Sequence, residues 1–344
     1  MLLSILENMA VREDILKNIK RVVIKIGSSV ISNRDKGRSP LECGLSREWV
    51  RHYARKIKAI RDKGYDVVLV SSGAIMAGRE RLEFGRADLT VPEKQACAAI
   101  GQSFLMHTYE KAFEKKGLKV AQILLSHDDL GNRKRYLNAK HTIEALLEKG
   151  VIPIINENDS VTVEEIKIGD NDSLSATVAC LVDAQLLIIL SDVEGLYDRD
   201  PSLKSKTEKA QLISHVPRVN EDIEKIAGKS NNRLTVGGML TKVRAAKKTM
   251  SFGIPTLVVN GLDEKVVEKI FAAKEVGTLF WSGKGKIRDR KHWIAHTLKS
   301  AGTLTIDEGA RKALVDRGKS LLPAGLLKVK GNFEFGNALT LIDE

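Results

Sequence analysis

The sequence predicts an α/β protein: an open, mainly parallel β-sheet sandwiched by helices, followed by a small β-rich segment. Two observations carry that expectation. Through the first 282 residues, short runs that are apolar on both faces alternate with amphipathic helical stretches, the pattern of a parallel sheet covered on both sides. After Lys291 the texture turns to short strand-like pieces broken by Gly, Pro and Asn, "GTLTID", "GLLKVKG" and "GNALTLI", with "DEGARKALVDRG" as a helix among them.

Taken in order, "MLLSILENMAVREDILKNIK" has apolar residues at helical spacing, no basic stretch ahead of them and no small-residue cleavage signal. Residues 1–20 are therefore expected to form an amphipathic extension and not a signal peptide. Strands are expected at "RVVIKI" (21–26), "DVVLVS" (66–71), "LKVAQILL" (118–125), "VIPII" (151–155), "AQLLIIL" (184–190) and "PTLVVN" (255–260). Between them, "REWVRHYARKIKAIRDKG" and "LNAKHTIEALLEKG" read as helices stopped by glycine. "VTVEEIKI" reads as a hairpin excursion. These patterns divide the chain into a first domain over 21–282, a linker over 283–291 and a small module over 292–344.

Composition narrows the function classes. The 344 residues are 43% hydrophobic and 29% charged, an ordinary soluble balance. No apolar run approaches the roughly 20 residues of a membrane span, so no membrane partner is expected. Three scattered cysteines, Cys43, Cys97 and Cys180, without a CxxC spacing, point to a reducing cytoplasm and no structural metal. The net charge of +12 is spread along the chain apart from "GKGKIRDRK" (283–291). A solvated linker is favoured there over contact with RNA or another anion.

A parallel sheet binds ligands beyond the carboxyl ends of its strands, so the residues just after each strand are the candidates. "IKIGSSV" sets Lys25 at a strand end, with Gly27 after it to let the backbone approach an anion; a solvated edge lysine is the plainer reading. "VLVSSGAIMAGRE" sets Ser72 and Gly73 before a helix start, offering unpaired N–H groups to an anion, or a simple Ser cap. "INENDSVTVEEIKIGDNDSLSA" gathers carboxylates and amides in a basic chain. Its Asp159, Asp170, Asn171 and Asp172 are expected over the same edge, where they suit a substrate ammonium group; "GDNDS" alone is also an Asx turn capping a helix. "LSDVEGLYDRDP" brings Ser191 and Asp192, and "TVGGMLTKVRAAKK" sets Gly237 and Gly238 before a helix with Lys242 about one turn in. Five such loops on one edge favour phosphoryl transfer, in which positioning and charge neutralisation dominate. Neither a GxxxxGK[ST] P-loop nor an HRD…DFG set occurs.

In this order "VVIKIGSSVI", "VVLVSSGAIMAGRE", "PIINENDSV", "EIKIGDNDSLSA", "LSDVEGLYDRDP" and "GGMLTKVRAA" closely resemble the amino acid kinase family over residues 21–282. The "INEND…GDND" combination resembles its glutamate-phosphorylating branch and not the branches acting on acetylglutamate, aspartate, carbamate or uridylate. The tail from Arg290 resembles the start of a PUA domain. The resemblance implies transfer of phosphate from ATP to L-glutamate, giving L-glutamyl 5-phosphate, the first step of proline synthesis. It implies that Lys25 and Lys242 stabilise the moving phosphoryl group and that Asp172 orients both. It assigns Ser72, Gly73, Asp159 and Asn171 to glutamate. ATP would take Lys25, Gly27, Ser191, Asp192 and the turn Val236, Gly237, Gly238, Met239, Leu240, Thr241 and Lys242. Mg²⁺ would ride on the nucleotide phosphates, without a protein metal site. A cytoplasmic homo-oligomer, dimer or tetramer, with proline as feedback inhibitor, is also implied.

Two departures from the family pattern stand out. The family's turn before Met is usually Gly-Thr-Gly-Gly, whereas here it is Thr235-Val236-Gly237-Gly238; Val236 lacks both the positive φ open to glycine and the threonine hydroxyl, so weaker nucleotide binding is expected. The tail is expected to fall short of a complete PUA module. An RNA-binding protein that keeps the kinase domain as a scaffold is disfavoured, because Lys25, Lys242 and Asp172 are all present.

Overall fold

The computed structural model describes residues 2–33, 43–84, 89–161, 170–201, 210–228, 238–283, 300, 302–333 and 339–343. The apolar runs pair as β1 (Arg21–Ile26), β2 (Asp66–Ser71), β3 (Val120–Leu125), β4 (Ile152–Glu157) and β5 (Leu186–Ser191). The sheet is completed by β6 (His215–Val216), β7 (Thr256–Asn260) and β8 (Thr278–Phe280), in the order β3-β4-β2-β1-β5-β7-β8-β6. Strands β4 and β5 are buried at every position. Such strands can pair only inside a sheet covered on both faces, which explains their lack of alternation. Every pairing from β3 to β7 is parallel, whereas β8 runs antiparallel to β7 and parallel to β6.

Helices supply the two covers. One layer uses α1 (Leu2–Lys17), α2 (Arg47–Asp62), α3 (Ala74–Arg81), α4 (Val91–Glu114) and the later α10 (Val266–Phe271). The other uses α5 (His127–Gly131), α6 (Arg133–Glu148), α7 (Asp170–Leu181), α8 (Glu221–Gly228) and α9 (Met239–Ser251). Local chemistry fixes their starts: the Ser46 hydroxyl accepts from Trp49 N at the head of α2, and Thr90 with Glu93 forms a capping box on α4. Among the described residues no helix is long and apolar enough to cross a membrane.

The C-terminal part forms a separate three-stranded sheet from β9 (Gly302–Ile306), β10 (Leu326–Gly331) and β11 (Leu339–Asp343), with α11 (Glu308–Val315) after β9. Its central strand β9 pairs antiparallel with β10 and parallel with β11.

Three expectations change. The sheet gains β6 and β8, which at two and three residues are too short to leave a periodic signal. "NEND" is not wholly a loop, because Asn156 and Glu157 are the last residues of β4 and are buried. Asn171 and Asp172 lie inside the first turn of α7, not in a turn ahead of it. The expected hairpin over 161–168, apart from Val161, and most of the expected linker lie outside the described residues.

Candidate active site

Register places the site. Lys25 of β1 lies beside Val70 of β2 and Ile189 of β5, and the next step pairs Ile26 with Ser71 and Leu190. The ends of β1, β2 and β5 therefore reach one edge together, and Gly27, Ser72 and Ser191 follow or finish them at that edge. The α9 helix starts at Met239 after its N-cap Gly238, so Lys242 is in its first turn.

Asp172 joins these pieces. Its Oδ1 is 2.8 Å from Lys25 Nζ, and its Oδ2 is 3.3 Å from Lys242 Nζ. Thr241 Oγ1 donates to the same Oδ2 at 2.7 Å. All three charged residues are almost fully buried, at 5% exposure for Lys25, 3% for Lys242 and none for Asp172. Burial pushes the Asp172 carboxyl up, but the ammonium groups of Lys242 and Lys25, with the Lys25 and Thr241 hydrogen bonds, outweigh it and hold the group well below the usual carboxylate range. For Lys25 burial wins: its ammonium is weakened below the ordinary lysine range, Lys242 adds repulsion, and Asp172 and Asp192 oppose both. The cluster holds two ammonium sites around one carboxylate too acidic to serve as a base.

The flanking residues divide into those that reach this cluster and those that do not. A Cβ on Gly27 would sit 3.3 Å from Leu190 O, a tight approach, and 3.4 Å from Lys25 Nζ, an ordinary contact. Gly27 N donates to Leu190 O and Ser72 N to Ile26 O, so these two amides extend the sheet ladder and do not form the expected cradle of unpaired N–H groups. The neighbouring Ser71 hydroxyl is taken up by Tyr109 and by Ser72 O, which leaves Ser72 as the serine at the edge. Gly73 is the N-cap of α3. Ser191 Oγ donates to Asp192 Oδ1 at 3.2 Å. Asn171 Nδ2 donates to Asn156 Oδ1 at 3.1 Å. Asp159 is half-buried two residues beyond β4. Met239 and Leu240 pack on the core beneath the α9 start. Val236, Gly237 and the Asp170 side chain lie outside the described residues.

The sequence profile described as the amino acid kinase family matches residues 20–260. A curated relative, glutamate 5-kinase of Geobacter sulfurreducens, is 49% identical over 94% of this chain and 84% of its own length. The chain belongs to the amino acid kinase family, on its glutamate 5-kinase branch. A second glutamate 5-kinase, from Geobacter metallireducens, is 48% identical over the same shares. The PUA domain profile matches residues 302–344. Among solved structures, carbamate kinase from Giardia lamblia bound to AMP-PNP aligns at a TM-score of 0.52 and 18% identity, over 77% of this chain and 99% of that one. UMP kinase from Bacillus anthracis aligns at 0.50 and 17%, over 77% and 97%. At those identities the likeness is one of fold, and that fold is the amino acid kinase sheet with its two helical layers.

Two buried residues linked to Asn171 were not singled out from sequence: Asn156, hidden as a polar residue inside a buried strand, and Gln102 on α4, whose Oε1 accepts from Asn156 Nδ2 at 2.8 Å. A lone Gln inside a helix carries no motif. The only available signal was Asn156 itself, next to an apolar run in "PIINEND".

Proposed function

We propose that this chain transfers the γ-phosphoryl group of ATP to the side-chain carboxylate of L-glutamate, giving ADP and L-glutamyl 5-phosphate. The carrying observation is the buried Lys25, Asp172 and Lys242 cluster at the strand edge. A glutamate side-chain carboxylate is already an anion at neutral pH, so attack on phosphorus needs no general base. One carboxylate oxygen forms a bond to the γ-phosphorus while the bond to the β–γ bridging oxygen breaks, and ADP leaves with that electron pair. Two fixed ammonium groups suit the charge spread over the transferring group, in a buried setting where such groups act most strongly. Asp172 holds both cations in place, and its own low basicity keeps it from taking a proton.

Glutamate is assigned to Ser72, Gly73, Asp159 and Asn171, with Asp159 and Asn171 facing the α-ammonium end. ATP is assigned to Lys25, Gly27, Ser191, Asp192 and the 236–242 turn. Mg²⁺ is assigned to the nucleotide phosphates, since Asp172 is already engaged by two lysines. When bound, the metal neutralises phosphate charge. Proline shares the α-carboxylate and ammonium of glutamate, which supports feedback inhibition at the same subsite. A cytoplasmic homo-oligomer follows the family pattern.

Hydroxylamine tests the reaction class, because it converts an acyl phosphate to a hydroxamate. Incubation with ATP, Mg²⁺, glutamate and hydroxylamine should yield glutamyl hydroxamate in step with ADP. ADP release without hydroxamate would overturn the proposed acceptor.

A further inference from the structure

Beside the ion cluster runs a chain of four amides. Asn171 Nδ2 donates to Asn156 Oδ1 at 3.1 Å, Asn156 Nδ2 donates to Gln102 Oε1 at 2.8 Å, and Gln102 Nε2 donates to Gln122 Oε1 at 3.0 Å. The path crosses from α7 through β4 and α4 to β3. Its middle is dry, with Asn156 2% and Gln102 8% exposed, and its far end at Gln122 is open to solvent. Head-to-tail order gives the chain a polarity: each amide passes its N–H outward, and the carbonyl at the inner end is left over. That carbonyl oxygen, Asn171 Oδ1, is buried and has no hydrogen-bond donor among the described residues. A buried acceptor without a donor carries a desolvation cost, and such groups in native sites ask for an external partner.

Turning all four amides over would keep the same three contacts but would point Asn171 Nδ2, a donor, at the inner end. A substrate ammonium group has only donors to offer, so it can be accepted in the first orientation and is opposed in the second. We infer that Gln102 is a positioning residue for substrate recognition: by accepting from Asn156 it fixes Asn171 with its carbonyl oxygen turned to the α-ammonium group of glutamate. It thereby sets the preference for the amino acid over the same dicarboxylate without an amino group. This inference rests on the assignment of Asn171 to the ammonium end. Gln102 lies one amide removed from Asn171 and touches no substrate in this account.

The test compares glutamate with glutarate, which keeps both carboxylates and lacks the ammonium group, in the full-length chain. Gln102→Met preserves bulk but offers no acceptor to Asn156. The expected result is a rise of about tenfold in KM for glutamate, the size of one misdirected buried hydrogen bond. KM for ATP and turnover of glutarate should stay as in the parent, so the glutamate-over-glutarate ratio of kcat/KM falls by the same factor. Gln102→Glu can still accept from Asn156 and should keep the parent ratio. Should Gln102→Met fail to fold, Gln102→Asn, one methylene short of the contact, takes its place. A folded variant with the parent ratio would overturn the inference and leave the glutamate reading intact, as would a Gln102→Glu variant that loses as much as Gln102→Met. A parent chain that phosphorylates glutamate no better than glutarate would overturn the ammonium assignment of Asn171, and this inference with it.

Discussion

A carboxylate between two buried ammonium groups has consequences that can be measured one residue at a time. Lys25→Ala and Lys242→Ala each remove a charge that matters most as the phosphoryl group moves, so kcat should fall about 10²–10³-fold, with a smaller change in KM for glutamate. Steady-state kinetics on each variant check this, and an unchanged kcat would remove that lysine from the mechanism. Lys25 also predicts a pH limb. Burial weakens its ammonium below the ordinary 10.5. As pH rises through that lowered value Lys25 loses its charge, so kcat/KM should decline at a pH below the range of a free lysine. Lys25→Arg, which does not titrate there, should lower activity but flatten the limb. A limb that stays in place in Lys25→Arg would assign it to another group. Most of these residues were legible in the sequence because Gly, Ser and Lys sit directly after apolar runs. The role of Asp172 as the shared partner was implied by resemblance and not by spacing, since the residue is 147 positions from Lys25 in the chain.

At the scale of elements, the packing of α3 on α4 controls the edge that carries Ser72 and Gly73. A Cβ on Gly101 of α4 would lie 1.8 Å from Ala74 O, and one on Gly78 of α3 would lie 1.8 Å from Cys97 O. The helices therefore touch backbone to backbone, and no rotamer change can relieve an added methyl. Gly101→Ala should destabilise by about 1–3 kcal/mol, read as a lower denaturant midpoint with unchanged slope. It should also raise KM for glutamate, because Ala74 directly follows Gly73 and the adjacent residue on α4 is Gln102. A variant as stable as the parent would contradict this contact. Elements with branched apolar runs were legible because their composition matches a strand buried on both faces. The end of β4 was not. Asn156 is polar yet buried, and what holds it there is a pair of amides, one on α4 and one on α7, that no local pattern connects to it.

At the scale of the molecule, among the described residues both hydrophobic cores of the large sheet are built from residues up to Trp281. Trp281 itself belongs to that body: its backbone N–H donates to Val216 O at 3.1 Å, and its backbone carbonyl lies 2.9 Å from His215 Nε2. In the C-terminal sheet, Leu304 and Ile306 are the buried hydrophobic residues among those described. A chain ending after Ser282 should therefore fold and keep its turnover, judged by melting temperature and ATP consumption beside the full chain. A soluble, folded fragment without turnover would show that the C-terminal part takes part in catalysis. The separate C-terminal sheet was legible from the change in texture, whereas the short edge strands β6 and β8 were not, because two or three residues cannot display a period.

The central claim is that the site phosphorylates glutamate with its amino group free. Turnover of ATP with glutamate, aspartate and N-acetylglutamate, each at matched concentration, tests it most directly. The account predicts turnover with glutamate well above the other two: aspartate places its carboxylate one methylene short of the phosphorus, and N-acetylglutamate has no ammonium group for Asp159 and Asn171 to receive. Equal or faster turnover with N-acetylglutamate or aspartate would contradict it.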